Sequence, residues 1–170
     1  MSATRPTRSG LLGAILINPA AGAGTTTISR LELVRDLLGC EQVRIENLLT
    51  VATRSVLEIT KAGAQFEDWE AARPGLSSLI SDSDQLLLGW GLGGGFGGPA
   101  RDHFAAQVTW IEHQISLRRD RPLVWTVGNG PRHPSRWHQY VADKHRRTRG
   151  GHFRNRLRDV LVESSAAYIH

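Results

Sequence analysis

The stretch that decides the fold is a short apolar run leading straight into a loop of glycines and prolines, Leu123-Val124-Trp125-Thr126-Val127-Gly128-Asn129-Gly130-Pro131-Arg132-His133-Pro134. The run is β-branched and aromatic, which predicts a buried strand. The glycines and prolines end that strand in a loop. In open α/β sheets the loops at the carboxyl ends of the strands form the ligand crevice. This stretch therefore predicts an α/β fold with a ligand site near His133.

Three more apolar runs of strand length lie upstream, over residues 11–17, 43–51 and 85–91. Helical periodicity follows the first run, with Gly39 as the predicted C-cap, and Pro99 suits the first turn of a later helix. Strands that alternate with helices are typical of a doubly covered parallel sheet. The sequence predicts one three-layer α/β/α domain over residues 1–170, with a central, mainly parallel four-stranded sheet.

Composition narrows the class of protein. Hydrophobic residues make up 40% of the 170 positions, which is enough to fill one core. The single cysteine, Cys40, excludes an internal disulfide and a cysteine-based zinc cage. Residues 1–9 are polar and predict a flexible arm, and we expect neither a signal peptide nor a membrane span. We expect a cytoplasmic monomer without a cofactor or a metal.

Charge points to a polyanionic partner. The net charge is +5, and a third of the 21 basic residues fall within residues 144–158. Four of them are the predicted contacts to DNA phosphates: Lys144, Arg146, Arg147 and Arg149. Phosphate contacts position a protein on DNA without reading its sequence. The alternative is a solvated, solubilising tail.

Each predicted strand ends in a distinctive group of residues. The four groups are Asn18-Pro19, Asn47-Leu48-Leu49-Thr50, Trp90-Gly91 and His133-Pro134-Ser135. This series, in this order, resembles the uracil-DNA glycosylase superfamily. It is also similar to a bacterial family of unassigned function that has comparable Asn-Pro, Asn-Leu, Trp-Gly and His-Pro motifs. The resemblance spans roughly residues 11–140.

The resemblance implies a fold like that of uracil-DNA glycosylase and an enzyme that acts on DNA. The enzyme would hydrolyse the N-glycosidic bond of a flipped, modified pyrimidine and leave an abasic site, in repair or in defence against modified foreign DNA. His133 would donate a hydrogen bond to the leaving base, and Asn18 would hold the attacking water. An amide cannot take up a proton at neutral pH, so Asn18 would position the water rather than activate it. Glu46 and Asp102 are candidate carboxylates for activation.

The implied substrate contacts surround these two residues. They are Pro19, Ala20, Asn47, Trp90, Ser135, Arg136 and Trp137. Asn47 would read the Watson-Crick edge of the base, and Trp90 would stack on it. Arg136 and Trp137 would wedge into the duplex and fill the space of the extruded base. Ala20 and Ala21 stand where many glycosylases have an aromatic residue or a further glycine, which leaves a smaller wall and predicts room for a bulkier, modified base.

Several alternatives remain open. Asn18 also suits a simple turn, and a tryptophan such as Trp90, beside glycine at a strand end, is usually a core residue. A module that binds a modified base without cutting it would need the same residues. The Asn18-Pro19-Ala20-Ala21-Gly22 segment is similar to the opening of lipid kinases of the diacylglycerol type, but residues 93–98 lack the aspartate of their nucleotide motif.

Overall fold

The computed structural model describes residues 10–19, 24–91, 95–141 and 152–164. The strands are β1 (Leu11–Leu16), β2 (Gln42–Asn47), β3 (Gln85–Gly89), β4 (Leu123–Val127) and β5 (Leu161–Ser164). The helices are α1 (Thr25–Leu37), α2 (Val56–Ala62), α3 (Phe66–Glu70), α4 (Arg73–Asp82), α5 (Gly98–Leu117), α6 (Trp137–Val141) and α7 (Phe153–Val160), with a 3-10 helix at Pro134–Arg136 before α6. The predicted α/β class is confirmed.

The strands form one sheet in the order β2-β1-β3-β4-β5. The first four strands are parallel, and β5 runs antiparallel to β4. The prediction of four strands is therefore wrong by one. Leu161-Val162-Glu163-Ser164 follows α7 with no glycine or proline between them, so the sequence carries no signal that separates this short strand from the helix.

Helices cover both faces of the sheet because the buried side chains of the central strands alternate. Leu12, Ala14 and Leu16 of β1 pack with residues of α1, α6 and α7. Ile15 and Ile17 point to the other face and pack with residues of α2, α3, α4 and α5. Side chains of a strand point alternately to the two faces, so one apolar run supplies both cores.

The chain between β2 and β3 folds as three short helices. Ser55 caps α2 by accepting a hydrogen bond from the backbone N–H of Glu58, at 3.2 Å. The Glu58 carboxylate in turn accepts from the backbone N–H of Arg54, at 2.7 Å. Pro74 lies in the first turn of α4, where its missing N–H costs nothing. The sequence predicted helical pieces here without resolving their bounds.

Two of the sequence predictions concern residues that the structure does not describe. The arm over residues 1–9 lies outside the described residues, and so do residues 142–151, which contain Lys144, Arg146, Arg147 and Arg149. Among the helices that the structure describes, none is both long enough and apolar enough to cross a membrane.

Candidate functional site

The carboxyl ends of β1, β2, β3 and β4 lie at one edge of the sheet because these strands are parallel. Asn18, Asn47, Trp90 and His133 therefore all lie at or just beyond that edge. The strand order reverses between β1 and β3, with β2 on one side and β4 on the other. Doubly wound sheets bind ligands at such a switch point. The topology places the four predicted loops around it.

Backbone hydrogen bonds tie these loops together in pairs. Leu48 and Leu49, after β2, donate to the carbonyls of Leu16 and Ile17, at 2.8 and 2.9 Å. The N–H of Gly91, after β3, donates to the carbonyl of Pro131 in the His133 loop, at 2.6 Å. Backbone hydrogen bonds thus join the end of β1 to the end of β2, and the loop after β3 to the loop after β4.

The His133 loop also packs directly on the end of β3. A Cβ atom built on Gly89 would lie 2.9 Å from Leu16 Cδ2 and 3.3 Å from Pro134 Cδ. Contacts this short leave no room for a side chain at Gly89. The glycine lets the loop approach the strands closely, which brings His133 near the switch point.

The imidazole of His133 is held in one tautomer. Its Nδ1 lies 3.2 Å from the backbone nitrogen of Ser135 and 2.8 Å from the Ser135 hydroxyl. A backbone N–H can only donate, so Nδ1 accepts and carries no proton. In the neutral ring the proton is then on Nε2. His133 thus presents an N–H donor at the nitrogen that Ser135 does not occupy.

The same surroundings keep this ring neutral. Burial lowers the pKa of His133 below its ordinary value, and the positive charge of Arg136 lowers it further. At neutral pH the ring is uncharged. A neutral donor suits a site where negative charge develops on a leaving group, because the ring does not transfer its proton outright.

Three side chains donate hydrogen bonds that hold the His133 loop in place. Trp137 donates from Nε1 to the carbonyl of Arg132, at 2.8 Å. Arg132 donates from Nη2 to Asn129 Oδ1, at 3.0 Å. Arg30, from α1, donates from Nη1 to the carbonyl of Pro134. The loop is therefore anchored at the residues on either side of His133.

Trp137 does not have the exposed position that a wedge requires. Its relative exposure is 0%, and it packs in the core between the sheet and α1, α6 and α7. In this structure the indole supports the loop from inside and has no surface to insert between base pairs. Arg136 and Ser135 are exposed.

Trp90 is also a core residue. It is 3% exposed and packs with Ile17 and Leu48 on the other face of the sheet. This matches the structural alternative for a tryptophan beside glycine. Its buried ring offers no open face on which a base could stack.

The amide of Asn18 has a fixed orientation. Its Nδ2 donates to the carbonyl of Pro19 at 3.0 Å and to Thr53 Oγ1 at 2.9 Å, with the carbonyl of Thr53 at 3.5 Å. Carbonyl oxygens only accept, so the nitrogen must face them. The oxygen Oδ1 therefore faces away, and none of the described residues donates a hydrogen bond to it.

Asn47 ends β2 opposite Leu16 of β1. Its side chain is partly buried, and Oδ1 is fully enclosed without a hydrogen-bond partner. Such atoms are rare in folded proteins because a lost hydrogen bond to water is costly. An acceptor left free beside a predicted ligand site is the kind of group that a bound donor satisfies.

The two carboxylates considered for water activation do not join this group. Glu46 lies against α4, where a Cβ atom on Gly75 would be 2.8 Å from Glu46 Oε2. Asp102 is exposed on α5. Within the described residues no cluster of three or more His, Cys, Asp or Glu side chains could hold a metal ion.

Of the two predicted substrate contacts that follow Asn18, Pro19 is partly buried, and Ala20 lies outside the described residues.

The sequence interpretation missed three residues that shape the site. Thr53 orients Asn18, and Arg30 holds the carbonyl after His133. Gln107 is buried on α5 and donates from Nε2 to the carbonyls of Leu48 and Trp69, at 3.1 and 2.8 Å. Of these three residues, only Gln107 could have been noticed in the sequence, because it is a polar residue beside the apolar stripe of a predicted helix.

Comparison with protein-family models, with curated proteins and with solved structures finds no match for this chain.

Proposed function

We propose that this protein is a DNA glycosylase of the uracil-DNA glycosylase type, which hydrolyses the N-glycosidic bond of a flipped pyrimidine and leaves an abasic site. The observation that carries the proposal is the state of His133: a neutral imidazole, with Nδ1 occupied by Ser135 and the Nε2 proton available, in a loop beside the switch point. The proposal includes a monomer that acts on DNA in the cytoplasm.

Hydrolysis of the N-glycosidic bond requires that the negative charge on the departing base be stabilised. Water bonds to C1′, the bond from C1′ to the base nitrogen breaks, and the electron pair leaves with the base. Negative charge then grows on the base carbonyl oxygen. In the proposal His133 donates from Nε2 to that oxygen, as preorganised donors do in other sites where an oxyanion develops.

Asn18 contributes the acceptor for the attacking water. Thr53 and the Pro19 carbonyl hold the amide so that Oδ1 is free to accept a hydrogen bond from water. The amide takes no proton, so the proton of the water passes to solvent. The proposal therefore expects slow turnover unless the substrate supplies a good leaving group.

Asn47 contributes recognition. In the proposal the Asn47 side chain shifts on binding, so that Oδ1, which is enclosed and unpartnered in the free protein, accepts from an N–H on the Watson-Crick edge of the extruded base while the amide nitrogen donates to an adjacent carbonyl. A pyrimidine with an N3–H and a carbonyl at C4 fits this pairing. The excess of basic residues, with a net charge of +5, favours DNA as the polymer that carries the base.

The experiment is a single-turnover assay on duplexes that carry uracil, thymine opposite guanine, or larger modified pyrimidines. Abasic product is revealed by alkaline cleavage. The test variant is His133→Ala, and the matched control is His138→Ala, because His138 is exposed on α6 five residues later. Loss of one preorganised donor predicts a rate lower by about 100-fold for His133→Ala and no change for the control. Equal rates for the two variants would refute the role of His133.

A second candidate is a module that binds a modified base without cutting it. The position of Glu46 against α4, together with the inability of Asn18 to take a proton, favours this alternative. The two are separated by Asn18→Ala. In the enzyme this change lowers the rate of base release and leaves binding intact. A wild-type protein that binds such duplexes tightly and releases no base would instead be the binding module.

A further inference from the structure

A groove of about 360 Å³ lies between α1 and α7, on the side of α1 that faces the His133 loop. It is lined by Thr25, Thr26, Ser29, Arg30, Leu33 and Phe153. The first four are polar, and their spacing along α1 puts them on one face of the helix. None of the described residues that line the groove is acidic.

Arg30 is the unusual residue of this groove. It is half-buried, its guanidinium lies over the Phe153 ring at 5.3 Å from the ring centre, and one nitrogen donates to the carbonyl of Pro134. Within the described part of the chain it has no carboxylate partner. Burial of this charge lowers the pKa of Arg30 below its ordinary value. Charged side chains are seldom buried unless they are paired.

The free donors converge on one kind of ligand. A guanidinium has five N–H donors, and Arg30 uses one of its nitrogens for Pro134. No described hydrogen bond occupies the hydroxyls of Thr25, Thr26 and Ser29, which are partly or fully exposed along the groove. Several donors and one positive charge, without an acceptor that carries negative charge, match a phosphate group.

We propose that this groove binds a backbone phosphate of the DNA strand, with Arg30 as the charged ligand and the hydroxyls of Thr26 and Ser29 as supporting donors. The proposal rests on the proposed function for its choice of polymer. The apolar surface of Leu33 and Phe153 suits the deoxyribose beside such a phosphate. Arg154, exposed on the first turn of α7, extends the positive charge along the strand.

The location gives the groove a further consequence. Arg30 donates to the carbonyl of Pro134, the residue that directly follows His133. A phosphate held by the same guanidinium is therefore fixed in distance from the catalytic loop. The bound phosphate thereby determines which nucleotide of the strand lies at His133, because the distance between the groove and the loop is fixed.

The test measures binding of a short duplex that carries one abasic-site analogue, by fluorescence anisotropy over a range of salt concentrations. For Arg30→Gln we expect affinity to fall about tenfold and the slope of log K against log salt to fall by about one unit. The matched control is Arg121→Gln, with the same charge change at an exposed residue before β4, at the opposite edge of the sheet. The control should change affinity by less than about twofold.

The phosphate that contacts Arg30 is identified by combining the Arg30→Gln variant with DNA in which one phosphate is modified. Single methylphosphonate linkages, which remove one backbone charge, are placed in turn along the strand. One or two positions should weaken binding of the wild type by about tenfold and have no effect on Arg30→Gln, because the two changes remove the same contact. Ser29 is exposed, so Ser29→Ala should leave the fold intact. This variant should bind the unmodified strand more weakly, and the same methylphosphonate linkages should then have a smaller effect on its binding.

Two results would overturn the proposal. One is an Arg30→Gln protein, folded by circular dichroism, that binds as tightly as Arg121→Gln and keeps the wild-type methylphosphonate pattern. The other is competition by inorganic phosphate at low millimolar concentration together with no dependence on any single linkage, which would assign the groove to free phosphate. A wild type that shows the pattern but releases no base would refute the glycosylase proposal alone.

Discussion

Trp137→Phe tests whether this tryptophan supports the His133 loop from inside the core. The change removes the Nε1–H that donates to the carbonyl of Arg132 at 2.8 Å, and it shrinks a side chain whose exposure is 0%. The loss of this part-buried hydrogen bond costs about 1–2 kcal/mol. The packing lost with the smaller ring costs about 1–2 kcal/mol more. The free energy of unfolding should therefore fall by about 3 kcal/mol.

The assay is urea unfolding followed by circular dichroism. With a slope of about 2 kcal/mol per molar urea, 3 kcal/mol moves the midpoint by about 1.5 M. In a thermal scan the same loss lowers the melting temperature by about 6–12 °C for a chain of this length. DNA affinity measured well below the transition should change little, since the indole has no exposed surface.

Trp110→Phe is the matched control. Trp110 is only partly buried, and its indole N–H has no hydrogen-bond partner among the described residues. Its ring faces the guanidinium of Arg73 at 5.0 Å, a contact that phenylalanine keeps in part. We expect a loss below about 1 kcal/mol. Trp137 does not support the loop from the core if both variants unfold at the same urea concentration, or if Trp137→Phe leaves stability unchanged and weakens DNA binding.

The hydrogen bonds and charges of the site give four further predictions. Because the folded pKa of His133 is lowered, the unfolded chain binds its proton first; stability should fall as pH drops below about 6.5 towards the folded pKa. Urea midpoints of wild type and His133→Gln across that range check this, and Arg136→Gln should raise the His133 pKa in an NMR titration. Thr53→Val removes the hydroxyl that orients Asn18 and should slow base release about tenfold, whereas Thr53→Ser should restore it. Gln107→Leu removes the side-chain donor to the buried carbonyls of Leu48 and Trp69, of which the Trp69 carbonyl keeps the backbone N–H of Ala72, and should cost about 1–3 kcal/mol of unfolding free energy in urea.

Much of the fold could be predicted from the sequence because strands and helices follow local patterns. The run over residues 123–127 is apolar, β-branched and closed by glycine, and β4 has those bounds. The runs that predicted β1 and β3 each extend only one or two residues past the observed strands. Strand β5 was missed because its partner, β4, lies 34 residues or more earlier and only that pairing makes it a strand.

The candidate site was predictable in its location and not in its contacts. Asn18, Asn47 and His133 were placed at strand ends by chain order, and parallel pairing brings those ends to one edge. The contact of Asn18 with Thr53 joins residues 35 positions apart, and that of Arg30 with Pro134 joins residues 104 apart. Neither separation leaves a periodic signal in the sequence.

The sequence by itself determined which segments are strands, which loops follow them, and that glycine and proline shape the loop of His133. Only the tertiary structure decided that Trp90 and Trp137 are core residues, that the Asn18 amide turns its oxygen outwards, and that Arg30 reaches the loop from α1. The physical reason is that backbone propensity and hydrophobic period act between neighbours in the chain. Burial and the hydrogen bonds between distant segments depend on groups that meet only when the layers pack.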